Sequence, residues 1–313
     1  MIVFVTGATG VLGRPVIHRL VQNGHQVRAL CRSQSNLSVL QSAGAIPLDA
    51  DLFDPVSLGS AVQDCDTILH LATRIPTASE LKNQALWAEN DRIRSDGMKN
   101  LIAAAENTGS VKAIVYPSIS FFYGDAGADW ISADSADCAP CGVLQSTLDA
   151  EAQVKSFADD RTDRRGIVLR FGAFYGPSSP DSVQVIEMAR KGLAMSIAAA
   201  PSYKSMIWID DAAAAVVEAA ENAPSGTYDV VEDDPSTQHE AIDALAAAVG
   251  RKRLVRLPRF LLRLAVPPEL RGILSRSQRI SNARFREVTG WRPEVPSQRE
   301  GWRRMVMAAE TTK

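Results

Sequence analysis

The chain opens with the apolar run IVFV, passes through TGATGVLG and continues into RPVIHRLVQN. Strand, glycine-spaced loop and helix in that order constrain the fold more than any other feature. Glycines at 7, 10 and 13 permit a tight turn and close backbone approach, and the free N–H groups of the helix start face whatever lies in the turn. This context predicts a cradle for a pyrophosphate, the alternative being a glycine-rich turn without a ligand. Pro15 suits the first turn of a helix over residues 14–23, and Gly24 suits its stop. Val16, Leu20 and Val21 would share one face of that helix.

The same rhythm continues downstream. Short apolar runs at residues 2–5, 27–31, 46–48, 67–71, 111–116 and 166–171 read as strands separated by helix-like segments. Near-continuous apolar strands alternating with helices imply a parallel sheet covered on both faces. After Gly172 the pattern changes. A loop spans 175–180, a strand and an alanine-rich helix span 205–223, and a further strand covers 228–231. From Pro235 the chain reads as mostly helical and rich in arginine. The expected class is α/β, a Rossmann doubly wound parallel sheet with a smaller, mainly helical C-terminal lobe. Residues 1–172 form the expected dinucleotide-binding core, to which 206–231 return. Residues 173–205 and 232–313 form the expected substrate-binding lobe.

Composition narrows the class. A net charge of -2 over 313 residues argues against a general polyanion binder. No apolar run approaches the ~20 residues of a membrane helix. The N-terminus has no basic segment followed by an apolar one, so no signal peptide is expected. Cysteines at 31, 65, 138 and 141 do not make a disulfide framework. A soluble, cytoplasmic protein is expected, with a small-molecule substrate, no nucleic-acid or membrane partner, and a homodimer as one arrangement.

A dinucleotide with a free ribose 2′-OH usually meets an Asp or Glu about 20 residues beyond the glycines. None occurs between Arg14 and Leu48, and Arg32 closes the second strand with Ser33 and Ser35 beside it. A guanidinium there can pair with a 2′-phosphate, which favours NADP over NAD; a solvated surface arginine is the alternative.

TGATGVLG, ADLFDPVSLGSAVQDCDTILHLAT, GMKNLIAAAENTGSVKAIVYPS and LRFGAFYGP, in that order, resemble the extended short-chain dehydrogenase/reductases, which include the NAD-dependent epimerases and dehydratases. WIDDAAAAVVEAAE resembles a later helix of that family more loosely. The resemblance implies that Thr6, Gly7, Gly10, Val11, Leu12 and Gly13 surround the pyrophosphate. It implies Asp51 and Leu52 beside the adenine, and Leu71, Ala72 and Thr73 along the middle of the cofactor. Asp51 could instead cap the helix near Pro55, and Leu71 could belong to the core.

The family's chemistry rests on a Ser or Thr, a Tyr and a Lys. The Tyr is the acid/base, and the Lys, four residues on, lowers its pKa and holds the nicotinamide ribose. Aligning the helix at residues 142–154 places Val143 at the tyrosine and Thr147 at the lysine. Ile119 takes the hydroxyl position, between Ser118 and Ser120. No Y-x-x-x-K occurs in the chain. Losing a positioned acid/base costs ~10²–10⁴-fold in rate, so another group does the proton work or the chemistry differs.

Candidate replacements are Tyr116, Ser118, Ser120 and Tyr123 at the end of one strand, and Tyr175 after the next. Active-site groups of this fold gather at strand C-termini. For the serines the alternative is local turn bonding, and for Tyr175 a packed anchor. Cys138 and Cys141 form a C-x-x-C that reads either as a redox pair or as two loop cysteines; no metal site is expected. Glu151 and Lys155 read as an exposed helix pair, and His70 as structural. Ten arginines and a lysine between 251 and 286, with Glu269 the only acid, suggest a pocket for an anionic substrate or a basic solvated face. The function that follows is an NADP-dependent oxidoreductase or epimerase-like enzyme with a non-standard acid/base. A non-redox lyase or cyclase on the same scaffold, or a non-catalytic NADP-binding sensor, stand as alternatives.

Overall fold

The computed structural model describes residues 1–76, 80–139, 142–159, 161–196, 199–257 and 266–311, with the side chains of 309–311 excepted. Cys141, Arg259 and Arg263 lie outside the described residues. Strands β1 (Ile2–Thr6), β2 (Gln26–Leu30), β3 (Ile46–Leu48), β4 (Thr67–His70) and β5 (Ala113–Ile119) alternate with helices α1 (Gly13–Gln22), α2 (Gln34–Ser42), α3 (Pro55–Ala61) and α4 (Gln84–Thr108). After a short strand β6 (Trp130–Ile131) come α5 (Gln145–Ala158), β7 (Arg165–Phe171), β8 (Ala173–Tyr175) and α6 (Pro180–Arg190). Then follow β9 (Leu193–Ala194), β10 (Tyr203–Lys204), β11 (Met206–Trp208), α7 (Ile209–Asn222) and β12 (Gly226–Val230).

Seven strands form one sheet in the order β3-β2-β1-β4-β5-β7-β12. Every pair in it is parallel. The reversal of strand order beside β1 makes the crevice in which ligands of this fold lie. Alternation along the strands feeds two cores. Val3, Val5, Val115 and Ile167 pack with residues of α1 and α7. Phe4, Ile68, Ile114 and Tyr116 pack with residues of α3, α4 and α5. Both faces are therefore covered, as the continuous apolar strands demanded.

β5 runs three residues further than its apolar stretch suggested. Its pairing with β4 ends at Leu69 and Val115, while its pairing with β7 continues to Ile119. Pro117 stands beyond the last β4 pair, so its missing N–H takes nothing from that ladder. Ser118, Ile119 and Ser120 thus lead away from β4. Downstream, Gly142–Leu144 is a single 3₁₀ turn, and α5 starts only at Gln145. The C-terminal stretch is helical at Gln238–Ala248, Pro268–Ser275, Ala283–Thr289 and Gln298–Thr311, but short strands interrupt it. One of them, Arg279–Ile280, pairs with β6.

Candidate active site

The loop between β1 and α1 is built by its glycines. Gly7 has φ +70, and a Cβ there would lie 2.5 Å from the Ala72 nitrogen. A Cβ on Gly13 would lie 2.2 Å from the Gly7 carbonyl oxygen. No side chain caps α1 at Leu12 and no acid stands in its first turn. Arg14 and Val16 already donate to the Gly10 and Leu12 carbonyls and Pro15 has no N–H, so the N–H groups left for an anion are those of Gly13 and the loop residues before it, where Val11 is exposed. These features fit the pyrophosphate of a dinucleotide. Thr6 is buried and braces the loop from below. His70 Nε2 lies 3.0 Å from the Ile93 carbonyl, which can only accept, so Nε2 carries the hydrogen. Nδ1 then accepts from the Thr6 hydroxyl at 2.7 Å. Burial lowers the His70 pKa to about 4, so the ring is a neutral structural link.

Beyond β2 and β3 a cleft of about 710 Å³ is lined by Arg32, Asp51, Phe53, Glu89 and Arg92 among others. Arg92 lies over the Phe53 ring at 3.7 Å. Arg32 is exposed at its edge. Asp51 accepts from the Phe53 nitrogen, and the cap of α3 is Asp54, which accepts from Val56. Leu52 points away from the cleft, where a Cβ on Gly97 would meet it. Leu71 is buried, while Thr73 is exposed.

At the C-terminal end of β5 the structure assembles a buried polar chain. Ser118 Oγ donates to Glu151 at 2.6 Å. Glu151 is 2% exposed and receives two bonds from Arg170, at 3.0 and 2.7 Å. Arg170 also donates to Tyr123 Oη at 3.0 Å, and Tyr123 donates to Asp229 at 2.7 Å. Asp229 accepts from the Ala133 nitrogen as well. Glu151 is therefore not an exposed partner of Lys155: its face of α5 turns to the sheet. Burial works against the Arg170 charge, but Glu151 holds its pKa above the ordinary value. Burial, then Asp229, push the Tyr123 phenol up. Ser120 is buried, and among the described residues its hydroxyl has no side-chain hydrogen-bond partner.

Burial raises the Asp229 pKa to about 7, from 3.8. A carboxyl with a raised folded pKa binds its proton more tightly in the folded state. Its contribution to stability is full at low pH and is lost as pH rises through the folded value. His70 slopes the other way between about 4 and 6.5. It is common to wild type and Asp229→Asn, so it cancels in their difference. Urea unfolding across pH is expected to give a wild-type-minus-variant free energy that falls between about pH 4 and 7; a flat difference would refute the assignment.

Tyr175 sits in a different cluster. Its ring meets Trp208 and Trp302 at centroid distances of 5.4 and 5.2 Å. Its hydroxyl lies 3.3 Å from Glu232 and 3.2 Å from the Ser297 carbonyl. A Cβ on Gly301 would fall 2.3 Å from that ring. The tyrosine is thus a packed anchor between β8 and the last helix. Of the positions aligned with the family's catalytic residues, Val143 is half-buried in the 3₁₀ turn. Thr147 is buried. Cys138 is a free, exposed thiol. Among the described residues no group of His, Cys, Asp and Glu could hold a metal.

Among the described residues, four of the C-terminal arginines are engaged at separate places. Arg276 donates to the Phe121 and Tyr123 carbonyls, and Arg279 lies between the Trp130 and Tyr203 rings. Arg284 pairs with Asp134, and Arg286 with Asp233 at 3.0 Å. Arg170, Asp229 and Arg94 went unremarked in the sequence. The available signal was a charge inside otherwise apolar strands and helix faces, as in RGIVLRF and TYDVV.

A profile of the NAD dependent epimerase/dehydratase family matches residues 3–231. The chain belongs to that family. Membership assigns it to a group of NAD(P)-dependent enzymes. The 3-diazoavenalumate denitrifying reductase of a Streptomyces species is 29% identical over 96% of this chain and 99% of its own. Human epimerase family protein SDR39U1, solved with NADPH, superposes with a TM-score of 0.81 at 20% identity over 98% of this chain and 99% of that one. MoeE5 in complex with UDP-glucose and NAD gives 0.79 at 21% identity, over 100% and 99%. These two likenesses establish the fold. No helix among the described residues is long and apolar enough to cross a membrane.

Proposed function

We propose that the chain is an NADP-dependent reductase for a small, largely apolar substrate that carries an anionic group. Residues 1–172 with 206–231 would hold the cofactor, and 173–205 with 232–313 the substrate. Gly7, Gly10, Val11, Leu12 and Gly13 receive the pyrophosphate above Thr6. Asp51 and the backbone of Leu52 flank the adenine, and Leu71, Ala72 and Thr73 follow the middle of the cofactor. When bound, NADPH supplies hydride at the ends of β4 and β5. Ser120 gives the substrate its hydrogen bond, because the hydroxyls of Ser118, Tyr123 and Tyr175 are already held within the protein.

The observation that carries the substrate reading is the half-buried apolar surface where β5 ends. Leu81, Trp87, Ile119, Phe121, Val143 and Leu148 are all partly buried and pack against one buried cluster that includes Phe122, Tyr123 and Leu144. A sugar would leave its hydroxyls unpaired against such a wall. Lys204 stands nearby on the strand bridged to Gln278, whose amide donates to the Tyr123 carbonyl. Burial, then the neighbouring Arg276, lower its pKa to about 8, with Asp125 opposing. An anionic group would relieve that repulsion. A relative is named as a 3-diazoavenalumate denitrifying reductase, and a substrate named as a carboxylate is consistent with an anionic group.

The test is NADPH oxidation followed with a panel of aryl and alkyl carbonyl acids. Turnover of an apolar acid in preference to its neutral ester supports the reading. Tight NADPH binding with no oxidation by any of them removes its redox content. Arg32 decides the cofactor. Its exposed guanidinium, with no hydrogen-bond partner among the described residues, would give the 2′-phosphate a charge-assisted pair. Arg32→Ala is expected to weaken NADPH roughly tenfold or more and to leave NADH unchanged, as measured by titration calorimetry. Equal loss for both cofactors would overturn the assignment.

A further inference from the structure

Arg276, Arg279, Arg284 and Arg286 meet partners inside the protein, and Arg271 donates to the Val266 carbonyl at 2.7 Å. The cations that open the same stretch are placed differently. Arg251, Lys252, Arg253 and Arg256 are exposed, and none of them pairs with an acid among the described residues. Arg251 turns back across the end of α6. Its Nε donates to the Arg190 carbonyl at 3.0 Å, and its Nη2 donates to the same oxygen. A Cβ on Gly192 would lie 3.2 Å from its Nη1. This contact brings the exposed Arg190 and Lys191, where α6 ends, beside the 251–253 run.

The backbone fixes what lies between these cations. Leu193–Ala194 and Val255–Arg256 pair in parallel, Val255 opposite Leu193 and Arg256 opposite Ala194. The Leu257 nitrogen donates to the Ala194 carbonyl at 2.9 Å and extends the ribbon. Ala194 turns inward and joins the core shared by α6, the helix Gln238–Ala248 and the last helix. Leu193, Met195 and Val255 occupy the other side of the ribbon and turn outward. Met195 is 48% exposed and Val255 63%. An aliphatic strip therefore sits among Arg190, Lys191, Arg251, Lys252, Arg253 and Arg256. The sequence has no Asp or Glu from 188 to 209 or from 244 to 268, so the two segments that build the ribbon carry no acid of their own. On a chain of net charge -2 this is a concentration of one sign.

A partner for this face must be an extended anionic surface that also accepts aliphatic side chains. A nucleic-acid strand meets the first condition, but its bases stack on aromatic rings, and the exposed apolar groups of the ribbon are aliphatic. The headgroup layer of an anionic bilayer meets both. Its phosphates face the guanidinium and ammonium groups, and the acyl boundary takes apolar side chains. We propose that the ribbon of residues 190–195 and 251–256 docks the protein on an anionic membrane surface. Each cation contributes a small, screened attraction, so the contact is reversible and sensitive to salt. The expectation of no membrane partner followed from the lack of an apolar run long enough to span, a condition that a surface contact does not have to meet. The inference is independent of the cofactor and substrate readings.

The experiment is flotation of the full chain with vesicles of phosphatidylcholine alone and with a quarter of phosphatidylglycerol, at low and high salt. Binding is expected only to the mixed vesicles and only at low salt. Lys252→Glu with Arg253→Glu and Arg256→Glu is expected to weaken it roughly a hundredfold or more. Met195→Ser with Val255→Ser keeps every charge and is expected to weaken it roughly fivefold. Circular dichroism melts establish that each variant is folded. Where the triple reversal lowers the midpoint, Lys252→Gln with Arg253→Gln gives the same reading with a smaller loss. Equal binding of the wild type and the charge variants to the mixed vesicles overturns the proposal, as does equal binding to both kinds of vesicle. Serine variants that bind as tightly as wild type overturn the seating of Met195 and Val255 in the headgroup layer. Wild type that ignores the mixed vesicles overturns docking outright. Single-stranded DNA bound in their place would make the face a polyanion site, and self-association at low salt would make it a contact between copies of the chain.

Discussion

Gly13→Ala is expected to abolish measurable NADPH binding, a loss of at least about two orders of magnitude, with the sheet still folded. The added methyl would sit 2.2 Å from the Gly7 carbonyl oxygen and 2.7 Å from that of Ala8. Both are backbone atoms, so no side chain can swing aside. The loop must open, and the free N–H groups at the start of α1 are then displaced from the place they offer an anion. Overpacking of this kind costs ~1–3 kcal/mol of stability. That is a fraction of what a chain with two cores on either face of a seven-stranded sheet can lose. Cofactor titration and a thermal melt on the same sample separate the two effects. Retained NADPH affinity would mean that this loop holds no pyrophosphate.

Arg170→Met is expected to cost more stability than any other single change considered. Arg170 and Glu151 are 6% and 2% exposed at their side chains and share two short bonds. Removing the cation leaves a buried carboxylate whose one remaining partner among the described residues is the Ser118 hydroxyl, and breaking one side of a buried pair costs ~3–5 kcal/mol. It also strips Tyr123 of its donor, which loosens the contact to Asp229. The double change Arg170→Met with Glu151→Gln removes both charges and should recover most of the loss. Urea midpoints at constant slope measure this. A single variant as unstable as the double one would show that the pair contributes packing alone.

The sheet was legible because its strands bury both faces, and each run of β-branched residues can do nothing else. The glycine loop was legible because 7, 10 and 13 combine conformational freedom with a fixed position between strand and helix. The polar chain was not. Its members lie 33, 19, 47 and 106 residues apart, and only the sheet order brings them together. Glu151 and Lys155 share a spacing that suits an exposed pair, but spacing does not say which helix face meets the sheet. Arg284 and Arg286 looked like part of one basic surface because their partners, Asp134 and Asp233, come from other parts of the chain. β5 was cut short at Pro117, since the sequence does not show that β4 has ended beside it.

Tyr175 and Gly301 carry a constraint on how this protein can vary. The ring occupies the volume that a side chain at 301 would need, and the last helix approaches β8 only because that volume is free. Neither position can change size alone without parting the helix from the strand. A smaller residue at 175 would make room for alanine or serine at 301, and a tyrosine at 175 demands glycine there. The two positions should therefore be exchanged as a unit among viable variants, although 126 residues separate them.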